Sequence, residues 1–311
     1  MKSLMLSLKR FVRKYILPRP EIQKLPLEKR KRLLAKLYKQ RMGAKLNWNN
    51  LRSFTEKIQW LKLYYHHPDM GRCVDKYGFK EYIREKVGEG YTASLIKVWS
   101  APEDVSIRDI PANKFVIKSN LQYGGRYIIP VIDKEKLDIE TVEKEIKENW
   151  FNPNNLMINS FCRAYYDVKP RVLVEEFIEE FDGIANDYKL FCFSGEPAFF
   201  YVAEEHFKDG KNTAVHPVTF FDKEWNVMDV TYGEQPRNPA AAKPKHMEEM
   251  IRIARLLSKE FPFVRVDFFD TEEKLYLAEL TFYPGGGLTA YHPQSFNEKL
   301  GNMLPLPKVE Q

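Results

Sequence analysis

The sequence predicts a protein that combines α-helices with antiparallel β-hairpins, and three observations support this. Residues 263–282 contain two runs of aromatic and β-branched residues around a short polar turn, which is typical of a β-hairpin. Residues 186–202 repeat that pattern around a Ser-Gly-Glu-Pro turn. Residues 25–41 are basic but place three leucines on one side of a helix, which is typical of a surface helix with one buried face.

The hairpin 263–282 carries charged residues inside otherwise apolar strands. Arg265 and Asp267 share a strand face because they are two residues apart, and so do Glu279 and Thr281. A turn with an odd number of residues would bring both faces onto one side. Burying an unpaired carboxylate costs several kcal/mol, so we consider two interpretations. Either Arg265 forms a structural ion pair with Asp267 or Glu279, or the carboxylates and the hydroxyl hold a cation such as Mg²⁺.

The segment after this hairpin favours the cation site. It reads Pro284-Gly285-Gly286-Gly287, and glycines at a strand exit allow backbone N–H groups to approach an anion closely. We therefore predict a site for a cation together with an anionic ligand.

Composition limits the possible functions. The chain has 311 residues, of which 44% are apolar, enough for one large domain or two to three smaller units. Its net charge of +6 suits ATP, an acidic polysaccharide or an anionic membrane surface, and does not by itself argue for nucleic acid. Three widely spaced cysteines are typical of reduced thiols, so we predict a cytoplasmic protein.

The N-terminal segment is basic and amphipathic. Residues 1–17 alternate apolar and basic residues at helical spacing but lack the long apolar stretch of a secretory signal. Such a segment either docks on the protein surface or lies on the anionic inner face of a membrane. The sequence contains no run of about 20 apolar residues that could span a bilayer.

Two lysines lie where binding of an anion would account for their position, one just before a predicted helix and one inside a predicted strand. Lys76 follows Asp75, a candidate N-cap residue, just before a predicted helix. Lys118 lies inside a predicted buried strand, where a lysine is costly unless it meets an anion. Gly124-Gly125 then predicts a hairpin turn that could form a flap over phosphates. The G-x-x-x-x-G-K-[ST] phosphate loop is absent from the sequence.

Two further strands end or begin with charged residues. The β-branched run 171–174 is followed by Glu175, Glu176, Phe177 and Ile178. The strand 186–193 begins with Asn-Asp-Tyr-Lys, which places Asp187 and Lys189 on one face.

Taken together, these motifs resemble the ATP-grasp superfamily, and most closely its branch tied to teichuronopeptide and capsular polysaccharide synthesis. The resemblance covers roughly residues 51–303 and implies an α+β fold in which two subdomains clamp ATP, with a mostly helical N-terminal region. The expected divisions are a basic extension at 1–50, a helical region at 51–108, a subdomain with the glycine flap at 109–180, a catalytic subdomain with the metal site at 181–304, and a tail at 305–311.

The resemblance also implies residue roles. The expected ATP-binding residues are Lys76, Lys118, Gly124, Gly125, Glu175, Glu176, Phe177, Ile178 and Asp187, with the backbone of 175–178 holding the adenine. The expected Mg²⁺ ligands are Asp267, Glu279 and Thr281, although many relatives have Asn in place of Thr281. The expected catalytic groups are Arg265 on the transferring phosphate, Lys189, and the backbone at Gly285 and Gly286.

By the same resemblance, the protein would be an ATP-dependent ligase that joins a carboxylate, such as a uronic acid of a polysaccharide, to an amine. We predict residues 203–217 as a loop on the acceptor side, with His206 and Lys208 as its first residues to test. Two alternatives stay open: a kinase on the same scaffold, and a glycosyltransferase or non-enzymatic protein of a polysaccharide cluster.

Overall fold

The computed structural model describes residues 19–120, 127–152, 161–178, 184–208, 211–212 and 217–308. This part of the chain forms two main antiparallel sheets with flanking helices, so the predicted α+β class is confirmed. The helices are α1 Arg19–Lys24, α2 Leu27–Met42, α3 Phe54–Tyr64, α4 Met70–Val74, α5 Lys76–Lys86, α6 Ile139–Glu145, α7 Met247–Ser258 and α8 Gln294–Met303. The strands are β1 Leu95–Trp99, β2 Phe115–Ser119, β3 Ile128–Val131, β4 Val172–Glu176, β5 Ile184–Phe193, β6 Glu196–Lys208, β7 Lys211–Asn212, β8 Val218–Phe221, β9 Thr231–Tyr232, β10 Phe263–Asp270, β11 Leu275–Thr281 and β12 Tyr291–His292.

The N-terminal region is helical, as the sequence predicts, because α1 to α5 all precede the first strand. Local signals set the helix ends. The Ser53 side chain accepts from the backbone N–H of Glu56, and the Glu56 side chain accepts from that of Ser53, which forms a capping box at the start of α3. Asp75 caps α5 by accepting from the N–H of Tyr77. Gly43, with φ of 70°, ends α2.

The smaller sheet has the strand order β1-β4-β2-β3, and each neighbouring pair is antiparallel. One of its faces packs on a core built around Trp99, Phe115, Val174 and Trp150. Strand β1 lies before residue 109, so this sheet begins upstream of the predicted subdomain 109–180.

The larger sheet has the order β11-β10-β5-β6-β7, with β8 also paired to β6. Helix α7 packs against β5, β6 and β10. From the N-terminal region, Phe54 of α3 places its ring 4.8 Å from that of Phe263 on β10, centroid to centroid. Helix α3 therefore shares a core with the C-terminal sheet, although the two are far apart in sequence.

The prediction of a loop at 203–217 is wrong for its first part. Strand β6 continues to Lys208, and β7 covers Lys211–Asn212. His206 is paired with Ile184 of β5, so backbone pairing along β5 outweighs the polar composition that suggested a loop. Residues 209–210 and 213–216 lie outside the described residues, as do the side chains of His206 and Lys208.

Candidate active site

A β-bulge decides which side chains meet on the β10–β11 hairpin. The register beside the turn, continued along the strands, would place Glu279 opposite Val266 and therefore on the other face from Asp267. Instead the register shifts after Asp267, so Asp267 pairs with Glu279 and Arg265 pairs with Thr281. Directly opposed residues share a face. The bulge thus brings the four polar side chains onto one side of the sheet.

Arg265 is the centre of this polar group. Its Nε donates to Asp267 Oδ1 at 2.6 Å, and one Nη donates to Asp267 Oδ2. The same Nη donates to Glu279 Oε1 and to Thr281 Oγ1, each at 3.0 Å. Burial alone would lower the pKa of Arg265, but Asp267 and Glu279 outweigh it and raise that pKa. The ion pair that was one of the two interpretations is present, and the cation site stays a prediction.

Strand β5 adds a second cation to this group. Lys189 lies opposite Asp267, with its Nζ 3.2 Å from Oδ2, and it also donates to Asp187. Burial would lower the pKa of Lys189, but Asp187 and Asp267 outweigh it and raise that pKa. Asp267 is 1% exposed, and burial raises the pKa of its carboxyl against the opposing effect of Arg265 and Lys189.

Glu279 differs from Asp267 in its access to solvent. Its side chain is 42% exposed, so it lines an open surface at the edge of the group. The hydrogen bonds that the structure describes for its carboxylate end on Oε1, from Arg265 and Thr281. Crowding by protein would raise the pKa of Glu279, but Arg265, Lys76 and Lys189 outweigh it and hold that pKa at about 2. Glu279 is therefore an ionised and accessible carboxylate.

Lys76 connects the two sheets electrostatically. It begins helix α5, and Glu279 of the larger sheet and Glu175 of the smaller sheet both act on it. Burial nevertheless dominates and lowers the pKa of Lys76. Lys76 is therefore within electrostatic range of acidic residues on both sheets.

A second ion cluster lies on the smaller sheet. Glu175 of β4 is held between Lys118 of β2, 2.7 Å from Oε2, and Lys80 of α5, 2.9 Å from Oε1. Its side chain is 5% exposed. Burial would raise the pKa of Glu175, but Lys118 and Lys80 outweigh it and hold that pKa at about 2. Glu175 thereby positions the lysine expected at the phosphates.

The start of α5 is tied to the smaller sheet. Asn120 Nδ2 donates to Asp75 Oδ1 at 2.7 Å, and Arg171 donates to Asp75 Oδ2 at 3.0 Å. Since Asp75 also caps α5, these bonds fix where Lys76 lies relative to β2 and β4.

The other predicted nucleotide residues are only partly described. Glu176, at the end of β4, accepts the N–H of Ser94 at 2.8 Å, and Phe177 and Ile178 follow it half-buried. Gly124 and Gly125 lie outside the described residues, so the glycine flap stays a prediction.

The glycine run forms a tight turn at the edge of the polar group. Gly285, Gly286 and Gly287 have φ of 55°, 64° and 61°, a region that favours glycine. A Cβ on Gly285 would overlap the Tyr232 hydroxyl, and one on Gly287 would lie 2.6 Å from Ile58 Cγ2. The N–H of Gly286 donates to the Tyr283 carbonyl at 2.8 Å, so its predicted role toward an anion stays untested.

Side chains of helix α3 donate hydrogen bonds to the backbone carbonyls of this turn. Gln59 Nε2 donates to the carbonyl of Gly286 at 3.2 Å and to that of Gly287 at 2.7 Å. Lys62 Nζ donates to the Gly286 carbonyl and to Gln59 Oε1 at 3.0 Å. Gln59 is fully buried, Lys62 is 3% exposed, and burial lowers the pKa of Lys62.

Sequence reasoning missed Lys80, Gln59 and Lys62. Lys80 could have been found, because it lies four residues after Lys76 and therefore on the same face of the helix. Gln59 and Lys62 gave no such signal, since their partners lie more than 200 positions away in the chain.

The donor set fits a magnesium ion in part. Carboxylate and hydroxyl oxygens of Asp267, Glu279 and Thr281 are the hard ligands that Mg²⁺ takes. Glu279 fits well because it is ionised and accessible. Asp267 has both oxygens bonded to Arg265, so holding an ion there requires this guanidinium to turn away.

These cations and carboxylates lie on two antiparallel sheets, and the family model that matches the chain belongs to the ATP-grasp class, so the protein is an ATP-grasp enzyme. More narrowly, the model of the family described as TupA-like ATPgrasp matches residues 56–305, so the chain belongs to that family. No curated protein matches the sequence.

Solved structures of ligases are similar at low identity. The chain is 17% identical to D-alanine–D-alanine ligase from Bacillus anthracis, over 80% of this chain and 73% of that one, with a TM-score of 0.47. The chain is 14% identical to L-amino acid ligase from Bacillus licheniformis, over 75% of this chain and 48% of that one, with a TM-score of 0.42. It is 19% identical to D-alanine–D-alanine ligase from Helicobacter pylori, over 76% of this chain and 61% of that one, with a TM-score of 0.39. Likenesses at this level carry no argument about substrates.

Proposed function

We propose that the protein is an ATP-dependent carboxylate–amine ligase that acts through an acyl phosphate. The observation that carries this proposal is the polar group around Arg265, in which Glu279 is ionised and 42% exposed and interacts electrostatically with Lys76. This arrangement offers fixed positive charge for a triphosphate and an open carboxylate for its metal ion. The proposed setting, cell-surface polysaccharide synthesis, rests on the family resemblance alone.

The proposed binding step uses the cations of both sheets. Lys76 and Lys118 contact the phosphates of ATP, while the backbone of residues 175–178 holds the adenine and Asp187 the ribose. Glu279, Asp267 and Thr281 hold Mg²⁺, which neutralises phosphate charge when bound. Glu175 keeps Lys118 in place through its 2.7 Å ion pair.

The proposed chemistry has two steps. A carboxylate oxygen of the first substrate attacks the γ-phosphorus, the bond to the bridging oxygen breaks, and ADP leaves. The amine nitrogen of the second substrate then attacks the acyl carbon, loses a proton, and expels inorganic phosphate. Arg265, Lys189 and the turn at Gly285-Gly286 stabilise the negative charge that develops in both steps.

The test uses ADP and phosphate release by the purified protein. Panels of uronic acids and amino compounds are supplied with Mg-ATP, and a ligase releases ADP at full rate only when both substrates are present. With ¹⁸O in the carboxylate, the proposal predicts one ¹⁸O atom in each phosphate released. ADP release with a hydroxyl substrate alone, without ¹⁸O transfer, contradicts the ligase and supports a kinase.

A further inference from the structure

The positive charge of the chain is concentrated at its start. Residues 1–45 contain 15 of the 49 Lys and Arg residues but only two of the 43 Asp and Glu residues. The rest of the chain holds 34 basic and 41 acidic residues and is therefore net acidic. A basic segment attached to an acidic body indicates an anionic partner for that segment alone.

Helix α2, Leu27–Met42, orders part of this charge into a stripe. Lys29, Arg32, Lys36 and Lys39 are all exposed. At about 100° per residue they lie within about one quarter of the helix circumference. Glu28 is the single acidic residue of the helix and pairs with Lys31, 2.9 Å away, so it does not neutralise the stripe. We call these four residues the basic stripe.

The opposite face of α2 fixes the stripe in space. Leu34 is fully buried and Tyr38 is 3% exposed, and Leu34 shares a core with Leu63 of α3. The Tyr38 hydroxyl lies 3.0 Å from Thr55 Oγ1. The apolar side of α2 is thus used against the body, and the outward side offers cations without a large apolar surface.

We propose that the basic stripe of α2 docks the enzyme on an anionic lipid bilayer. The stripe spans about 15 Å along one side of a helix, so a planar surface can meet all four side chains at once. A flexible polyanion such as nucleic acid would also approach the acidic body, which repels it, whereas a bilayer contacts only the basic side. None of the described helices is long and apolar enough to cross a bilayer. Residues 1–17, whose membrane contact stays a prediction, lie outside the described residues.

The experiment is co-sedimentation of the full chain with vesicles of phosphatidylcholine alone or with one quarter phosphatidylglycerol, at low and physiological salt. The test variant carries Lys29→Gln, Arg32→Gln, Lys36→Gln and Lys39→Gln. The matched control removes four exposed lysines of the body through Lys97→Gln, Lys223→Gln, Lys243→Gln and Lys299→Gln. Each basic side chain near an anionic surface contributes roughly fivefold in affinity, so the loss of four should weaken binding by the test variant roughly 600-fold.

The expected result is salt-sensitive binding to the anionic vesicles alone, lost in the test variant and kept in the control. Equal binding by wild type and test variant overturns the role of the stripe. Absence of vesicle binding by the wild type overturns the proposal, as does stripe-dependent binding to a 20-nucleotide single-stranded DNA but not to vesicles. Unchanged thermal unfolding and ADP release in solution show that the test variant is folded.

Discussion

The two ion clusters of the candidate site, one on each main sheet, are built differently. On the smaller sheet, Glu175 is 5% exposed and is enclosed by Lys80 and Lys118. On the larger sheet, Asp267 is 1% exposed, but its neighbour Glu279 is 42% exposed. The closed cluster positions a lysine, while the open cluster leaves a carboxylate accessible. Removing charge should therefore cost stability in the closed cluster and activity at Glu279.

The largest expected effect is on catalysis at the open end. Glu279→Gln keeps size and exposure but removes the accessible charge, so ADP release should fall about 10³-fold while the unfolding midpoint changes little. Glu273→Gln, an exposed position in the turn of the same hairpin, is the control and should keep wild-type activity. Activity within tenfold of wild type in Glu279→Gln would contradict the assignment.

Asp267→Asn tests whether Asp267, unlike Glu279, stabilises the fold of the larger sheet. This change leaves Arg265 and Lys189 buried beside a neutral amide, so the free energy of unfolding should fall by about 3–5 kcal/mol in urea titrations. Activity should fall as well. A variant as stable as wild type would show that Asp267 does not brace these cations.

Glu175→Gln tests the closed cluster through pH. The folded protein holds the pKa of Glu175 at about 2, below its ordinary 4.5. Its contribution is therefore present above pH 4.5 and lost as pH falls toward 2. At roughly 1.4 kcal/mol per pH unit, the variant should be about 3 kcal/mol less stable at pH 7, and the difference should shrink below pH 4.5. Urea unfolding of wild type and variant from pH 7 to pH 3 measures this difference, and an equal difference at every pH would contradict the assignment.

The smallest expected effect concerns the support of the glycine turn. Lys62→Met removes the donor to the Gly286 carbonyl and should lower kcat by about 10- to 50-fold with little change in the KM for ATP. Lys57→Met is a matched control, because Lys57 on the same helix donates to the carbonyls of Gly301 and Leu304, away from the site. Equal kcat losses in both variants would indicate a general stability effect.

Local patterns predicted much of the fold. The hairpin 263–282 was readable because its strands are aromatic and β-branched, and Asp75 was readable as a helix cap. The bulge after Asp267 was not, because it depends on pairing between strands. Residues 203–208 were misassigned because their polar composition hides a strand that β5 holds by backbone pairing.

The candidate site was predicted where its residues are near each other in sequence or on one strand face. Arg265 and Asp267 share a strand face, as the strand periodicity predicts. Glu279 joins them through the bulge, and Lys189 joins them through the pairing of β5 with β10. Gln59 and Lys62 of α3 were missed because their partners lie far away in the sequence, whereas the helical spacing from Lys76 could have indicated Lys80 of α5. The flap at Gly124-Gly125 stays a prediction.

The most direct test of the central claim, that Glu279 helps bind ATP through a divalent ion, is calorimetric titration of ATP with Mg²⁺ and with EDTA. In wild type, Mg²⁺ should strengthen ATP binding by at least about tenfold, and in Glu279→Gln this gain should disappear while metal-free binding stays similar. An equal gain from Mg²⁺ in both proteins would contradict the account.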